Sequence, residues 1–217
     1  MNQPTLASLG AGFSTEAFGS QGVFRSVLQA LSHPGRRVAV AHDAQTPKAG
    51  NSASAATLLA LLDSECTLWL SPRLAASDAA AWLRFHTGCT LVSHAGDARF
   101  VWVGEGDAAP SLSALAQGTD IYPDQSATCV LDVARIDGAA DDADAWRLTG
   151  PGILHTAALR VGGLPDDFEH QWAANHATFP RGVDVLLGTQ THIVGLPRTT
   201  RIDRFSSHTA ALHGAKA

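Results

Sequence analysis

Residues 183–196 read VDVLLGTQTHIVGL. Val183 to Leu187 and Thr191 to Leu196 are apolar, β-rich runs, and Gly188-Thr189-Gln190 between them is a turn signal. The stretch therefore predicts a β-hairpin, which Pro197 ends because proline has no N–H to give a further ladder. Asp184 interrupts the first run. If both faces of that strand are covered, an ionised carboxylate there needs a partner, since burying it alone is costly. Arg181, Arg198 and Arg201 are close enough in sequence to supply one, so Asp184 is expected in a structural salt bridge.

Working back from the hairpin, Pro165 suits a first helical turn, and Asp166, Asp167 and Glu169 favour its positive end. Phe168, Trp172 and His176 lie on one side of that helix. Trp146–Thr149 and 153–161 read as strands joined by Gly150-Pro151-Gly152, and 127–136 as another strand. Residues 137–145 form an acidic loop without the ordered spacing of a calcium loop. Further upstream a short helix is expected at 110–117, and two strands, 90–93 and 99–103, around a turn at 94–97.

The first half of the chain is more helical. Phe24, Val27, Leu28 and Leu31 recur at helical spacing and predict a helix over 23–32, stopped at His33-Pro34. A short strand follows at 37–41. Ala55, Leu58, Leu59 and Leu62 make the stripe of a second helix, Thr67–Leu70 is a β-type run, and a third helix spans 75–86. Helices before strands early and strand pairs later point to an α/β fold: a single domain in three layers, with helices on the faces of a mixed sheet. Residues 1–20 are expected to be a loosely ordered arm, 21–205 the domain and 206–217 a flexible tail.

Composition narrows the function. The chain has 217 residues, a net charge of −5 and 45% hydrophobic residues. The acidic balance argues against a nucleic-acid partner. No apolar run approaches the roughly 18 residues that span a bilayer, so no membrane partner is expected. Cys66, Cys89 and Cys129 have no metal spacing and read as reduced thiols of a cytoplasmic protein. No HExxH motif or finger-spaced Cys/His pair occurs, so no metal is expected. Only Lys48 and Lys216 are lysines, and neither sits in a stretch that would hold an activated amine in an apolar pocket. No cofactor is expected.

Arginine is the abundant cation. Arg25 lies on the opening helix. Arg84 and His86 stand at a helix end, Arg181 at the entry to the hairpin, and Arg198 just after it, followed by Thr199 and Thr200. Guanidinium presents a planar fork of donors that matches phosphate or carboxylate oxygens. Arg25, Arg84, His86, Arg181 and Arg198, with the Thr199 and Thr200 hydroxyls, are therefore the candidate anion-binding set, expected to line a cleft at or near an interface between two copies of the chain. His86 is the candidate acid or base. No catalytic residue is assigned.

Six motifs occur in a particular order. They are Phe24-Arg25-x-x-Leu28-x-Ala30-x-Ser32-x-Pro34-Gly35, Thr67-Leu68-Trp69-Leu70 with the helix before it, and Leu83-Arg84-Phe85-His86-Thr87. Then come Leu148-Thr149-Gly150-Pro151-Gly152-Ile153, Phe179-Pro180-Arg181-Gly182-Val183-Asp184, and Leu196-Pro197-Arg198-Thr199-Thr200. The series resembles the H-type component of the bacterial carbon–phosphorus lyase system of phosphonate metabolism, over roughly residues 20–203. That resemblance implies a fold like the large domain of pyridoxal-phosphate-dependent transferases without the cofactor or its lysine. It also implies a homodimer that joins the G, I and J components of the same system, and possibly the L component. Such an assembly uses ATP and an alkylphosphonate: adenine is displaced to give ribose 1-methylphosphonate 5-triphosphate. The chain would be a required subunit, inactive alone. The alternative is a scaffold that touches no substrate.

Overall fold

A computed structural model describes residues 9–138 and 145–204. The elements run α1 (Glu16–Ser32), β1 (Val38–Ala39), α2 (Ser52–Leu61), β2 (Thr67–Leu70), α3 (Pro72–Ala75), α4 (Asp78–Thr87), β3 (Thr90–Leu91) and β4 (Phe100–Val103). They continue with β5 (Thr128–Asp132), β6 (Arg135–Asp137), β7 (Trp146–Thr149), β8 (Ala157–Gly162), α5 (Phe168–Ala177), β9 (Asp184–Gly188), β10 (His192–Leu196) and β11 (Arg201–Arg204).

Seven strands form a mixed sheet in the order β1-β10-β9-β5-β4-β2-β3. Only β10 runs against the others: it pairs antiparallel with β1 and β9, and the remaining pairs are parallel. The expected hairpin is β9–β10, with Ile193 opposite Gly188 and Leu196 opposite Val185. Its strands read as continuous apolar runs because both faces are covered. Trp102, Val130, Leu186 and Ile193 face a layer that includes α1, α2 and α4. Val101, Cys129, Val185, Leu187 and Val194 face a second core with α5 and the strands of a four-stranded antiparallel sheet, ordered β11-β7-β8-β6. The result is a mixed α/β architecture.

Close helix–sheet contact is set by small residues. A Cβ on Gly195 would sit 2.6 Å from the Ala30 carbonyl oxygen of α1, so β10 needs a glycine there. In α2, Ala53, Ser54, Ala55, Ala56, Thr57 and Leu58 are all buried, so its first half is enclosed all round and not striped.

Several elements differ from expectation. α1 starts at Glu16, ahead of the expected Val23, so it takes in the last residues of the stretch read as an arm. Just before it the chain is tied to the body. The Gly10 carbonyl accepts from Trp82 Nε1 and lies 2.9 Å from His86 Nε2, while Ala11 O accepts from Gln45 N. This Gly- and Ser-rich sequence has no periodicity, so only tertiary contacts order it. β3 and β4 do not pair with each other; both lie parallel to β2, on opposite sides. With β3 only two residues long, the short 92–99 connection suffices to bring the chain back.

The expected 75–86 helix is two, since Ser77 caps α4 by accepting from Ala79 N. The 110–117 helix is a single 3-10 turn at Leu112–Ala114. The 127–136 strand breaks after Asp132, and β6 joins the second sheet through β8. The 153–161 strand starts only at Ala157. The centre of the acidic loop, 139–144, and the 206–217 tail lie outside the described residues.

Candidate functional site

The arginines that stand out in the sequence go to different places. Arg198 commits all five of its N–H donors inside the chain. Nε and Nη2 hold Asp184 at 3.1 and 2.6 Å, Nη1 reaches the Pro123 and Pro180 carbonyls, and Nη2 also reaches Ser126 Oγ. The Arg198 backbone N–H adds a bond of 2.8 Å to Asp184. With 12% of the guanidinium side chain exposed, this is a closed ion pair with nothing left for an external anion. Arg181 sits close by and meets Asp120 at 3.3 Å on the surface. Thr199 is half-buried and Thr200 fully buried, its hydroxyl without a hydrogen-bond partner and its carbonyl accepting from Trp172 Nε1.

Arg25 stands on the exposed face of α1, opposite buried Val23, Val27 and Ala30, and Arg84 is exposed on α4. His86 turns the other way, against Gly10 and the Trp82 and Phe85 rings. Arg181, Arg198 and the two threonines thus share one region, at the amino-terminal end of β9. Arg25 on α1 and Arg84 and His86 on α4 lie apart from that region within the chain.

A different cluster forms at the opposite end of the sheet, where β4, β5 and β9 finish at Val103, Asp132 and Gly188. This is the end of parallel strands where open α/β sheets bind ligands. Asp132 is 4% exposed. Its carboxylate accepts from Asn51 N at 2.8 Å and Trp102 Nε1 at 3.0 Å, both neutral donors. Burial pushes the Asp132 carboxyl up to about 6, against the pull of the neighbouring Ser54 hydroxyl and those two donors. Asn51, just before α2, ties the strand ends together: its amide donates to the Val133 and Gly188 carbonyls and accepts from Gln190 Nε2. Gln190 in turn accepts from Ser52 N. Beside it, Ser52 Oγ lies 2.8 Å from Thr46 Oγ1 and 3.1 Å from His42 Nε2, and burial lowers the pKa of His42.

Two cavities open over this cluster. One, of about 430 Å³, is lined by Lys48, Asn51, Arg73, Glu105, Asp107 and Gln190. The other, of about 300 Å³, is lined by Asp107, Leu131, Asp132, Leu164 and Asp166 among others. Gly104 and Asp107 line both, so the cavities adjoin. Arg73 is fixed at their junction by Asp107 and the Glu105 carbonyl, and Ser71 Oγ also donates to Asp107. Against the upward push of burial, Ser71 and Arg73 hold the Asp107 carboxyl below its ordinary value. Among the described residues no group of three or more His, Cys, Asp or Glu is placed to hold a metal ion.

Sequence reasoning assigns none of these groove residues to a site. Asp132 reads as the interior of a long strand, Asn51 as loop and Gln190 as turn. The available signal is an acid closing an apolar run, Thr128-Cys129-Val130-Leu131-Asp132, in a chain that reads as α/β.

Comparison with known proteins places this architecture. The model of a family described as bacterial phosphonate metabolism protein (PhnH) matches residues 11–203. The chain is 37% identical over 192 residues to the alpha-D-ribose 1-methylphosphonate 5-triphosphate synthase subunit PhnH of Rhizobium meliloti (strain 1021), covering 88% of this chain and 94% of that protein. It is 33% identical over 192 residues to the putative C-P lyase subunit protein HtxG of Stutzerimonas stutzeri, covering 87% of this chain and 88% of the relative. With nearly its whole length matched, the chain belongs to the PhnH family of bacterial phosphonate metabolism proteins.

Proposed function

We propose that this chain is a subunit of the carbon–phosphorus lyase assembly and is required for its ribose 1-methylphosphonate 5-triphosphate synthase activity. The observation that carries this reading is the 37% identity, over 88% of the chain, to a protein of that name. In this reading the chain works in the cytoplasm as a homodimer beside the G, I and J components, and the L component where nucleotide is handled. The assembly displaces adenine from ATP with an alkylphosphonate. Both reactants are polyanions, so positioned cations lower their mutual repulsion and orient the triphosphate. Arg25 and Arg84 are exposed and able to serve across a boundary between chains, whereas Arg198 is committed to the fold.

The likeness to the large domain of pyridoxal-phosphate-dependent transferases belongs to the same proposal. It rests on the resemblance of the motifs alone; the architecture itself is a mixed α/β fold with a seven-stranded sheet covered on both faces. Lys48, the one lysine among the described residues, is exposed beside the groove and not buried in an apolar pocket.

The scaffold reading has its own support. Phe18, Phe24 and Leu28 of α1 are 76%, 43% and 50% exposed, an apolar stripe of the kind that partners cover. One experiment tests the assignment and separates the two. A host lacking this gene is complemented with wild type, Arg84→Ala or Phe24→Ala, with growth on methylphosphonate as sole phosphorus source and co-purification of the complex as readouts. The subunit reading expects growth only with the gene present, and growth without it overturns that reading. Loss of growth with the complex intact in Arg84→Ala supports direct substrate handling. Loss of assembly in Phe24→Ala with normal growth in Arg84→Ala supports the scaffold.

A further inference from the structure

Cys66 and Cys89 lie on neighbouring strands at one register position. In the parallel pair β2–β3, Thr67 stands opposite Thr90 and Leu68 opposite Leu91, so the residues just before the two strands, Cys66 and Cys89, stand opposite each other. The ladder reaches them: Thr90 N–H donates to the Cys66 carbonyl at 2.9 Å. Further back the chains still run side by side, since a Cβ on Gly88 would sit 3.4 Å from the Ser64 Cβ. Both cysteines face the same layer. Cys89 is buried in the core that holds Leu68, and Cys66 and Leu91 pack against that core, whereas Trp69 and Val92 belong to the opposite one. Adjacent strands are about 4.8 Å apart, and a disulfide spans Cα atoms about 4.4–6.8 Å apart. The register therefore places the pair within bridging reach. Both thiols are free, Cys66 half-buried and Cys89 buried. Cys129 is buried in the opposite core.

We propose that Cys66 and Cys89 are an oxidation-responsive dithiol that closes into a disulfide under hydrogen peroxide and reopens under a thiol reductant. Cys66, the more accessible of the two, meets the oxidant first. Its thiolate sulfur attacks one peroxide oxygen and the O–O bond breaks. The hydroxide released takes up the proton that the thiol gave and leaves as water, with a sulfenic acid formed on Cys66. The Cys89 thiolate then attacks the Cys66 sulfur. The S–O bond breaks, the S–S bond forms, and the departing hydroxide takes up the Cys89 proton as a second water. Two thiols lose two electrons in total, and one peroxide is reduced to two waters. Burial raises the pKa of both thiols, so little thiolate is present near neutral pH and the pair responds to sustained oxidant, not to a brief pulse. The closed bridge ties the turn after α2 to the carboxyl end of α4, and the segment between carries α3 and α4 with Arg73 and Arg84. Closing such a loop restricts the unfolded chain, so the bridge acts as a staple on that layer.

Peptide mapping of the full chain by mass spectrometry, before and after hydrogen peroxide, tests this. The oxidised chain is expected to lose two hydrogen masses, to yield a linked peptide pair carrying Cys66 and Cys89, and to regain both thiols with dithiothreitol. Its Tm is expected to rise by roughly 5–10 °C on oxidation. Cys66→Ala and Cys89→Ala should each abolish the linked pair and the Tm gain, and Cys129→Ala should abolish neither. Cys66 is half-buried, so that variant keeps the fold, and the wild-type map needs no variant at all. Oxidation that stops at a sulfinic acid on Cys66 while Cys89 stays a free thiol overturns the proposal, as does a chain left unoxidised. So does a link that joins two chains or uses Cys129, or a Cys66–Cys89 link without a gain in Tm.

Discussion

Neighbouring strands β5 and β9 each carry one aspartate at an end, and the two are treated in opposite ways. Asp184 opens β9 and receives a guanidinium fork and a backbone N–H from Arg198. Asp132 closes β5 with no cation beside it: the Asn51 N–H and the Trp102 indole donate to it, and the Glu105 charge adds to the upward push of burial. The first charge is neutralised within the chain and belongs to the architecture. The second is desolvated without a cation, which lifts its carboxyl to about 6. The amino-terminal end of the sheet is closed by its arginine, and the carboxyl-terminal end keeps its polar groups in reach of solvent-filled space.

That contrast is broken most severely at Arg198. Arg198→Ala strands Asp184 and frees the Pro123 and Pro180 carbonyls and Ser126. Chemical denaturation should show a loss of about 3–5 kcal/mol, the cost of removing one partner from a largely buried pair. A loss under about 1 kcal/mol, the scale of an exposed pair, would mean that the latch is ornamental.

At Asp132 the expected effect is a pH dependence. Its folded-state pKa lies above the unfolded value, so the fold favours the protonated form. Its contribution therefore improves as pH falls through about 6 and levels off below the unfolded pKa near 4. The swing is on the order of 2–3 kcal/mol by linkage. Asp132→Asn should flatten the stability profile between pH 7 and 4 relative to wild type. An unchanged difference between the two proteins across that window would show that Asp132 is solvated like an ordinary carboxylate.

Trp102→Phe sharpens the same point. It withdraws one of the neutral donors, which should cost about 1–3 kcal/mol and move the Asp132 titration, followed by carboxyl NMR, further upward. A downward movement would contradict a carboxylate held by those donors. Arg181→Ala, which removes an exposed pair with Asp120, should change stability by less than about 1 kcal/mol.

The two ends also differ in how far the sequence foretells them. The β9–β10 hairpin is legible because its apolar runs and its Gly-Thr-Gln turn are contiguous, and an aspartate in an apolar strand advertises its need for a cation nearby. Asp184 and Arg198 are 14 residues apart, within one hairpin and its exit. The groove has no such continuity. Lys48, Arg73, Asp107, Asp132, Asp166 and Gln190 come from six separate segments, and only the strand order brings them to one edge. The parallel placement of β3 and β4 around β2 is hidden for the same reason, since two short strands around a turn look like a hairpin until their neighbours are known. The docking of residues 9–15 depends on Trp82, His86 and Gln45, which local composition cannot reveal.

The central claim is that the two aspartates are held differently: Asp184 by a cation of its own chain, Asp132 by burial among donors that carry no charge. Unfolding free energies of wild type, Arg198→Ala and Asp132→Asn, measured side by side from pH 7 to pH 4, test it most directly. The account predicts a loss of about 3–5 kcal/mol for Arg198→Ala at pH 7 and a flatter pH profile for Asp132→Asn than for wild type. Parallel profiles for wild type and Asp132→Asn, with Arg198→Ala as stable as wild type, would contradict it.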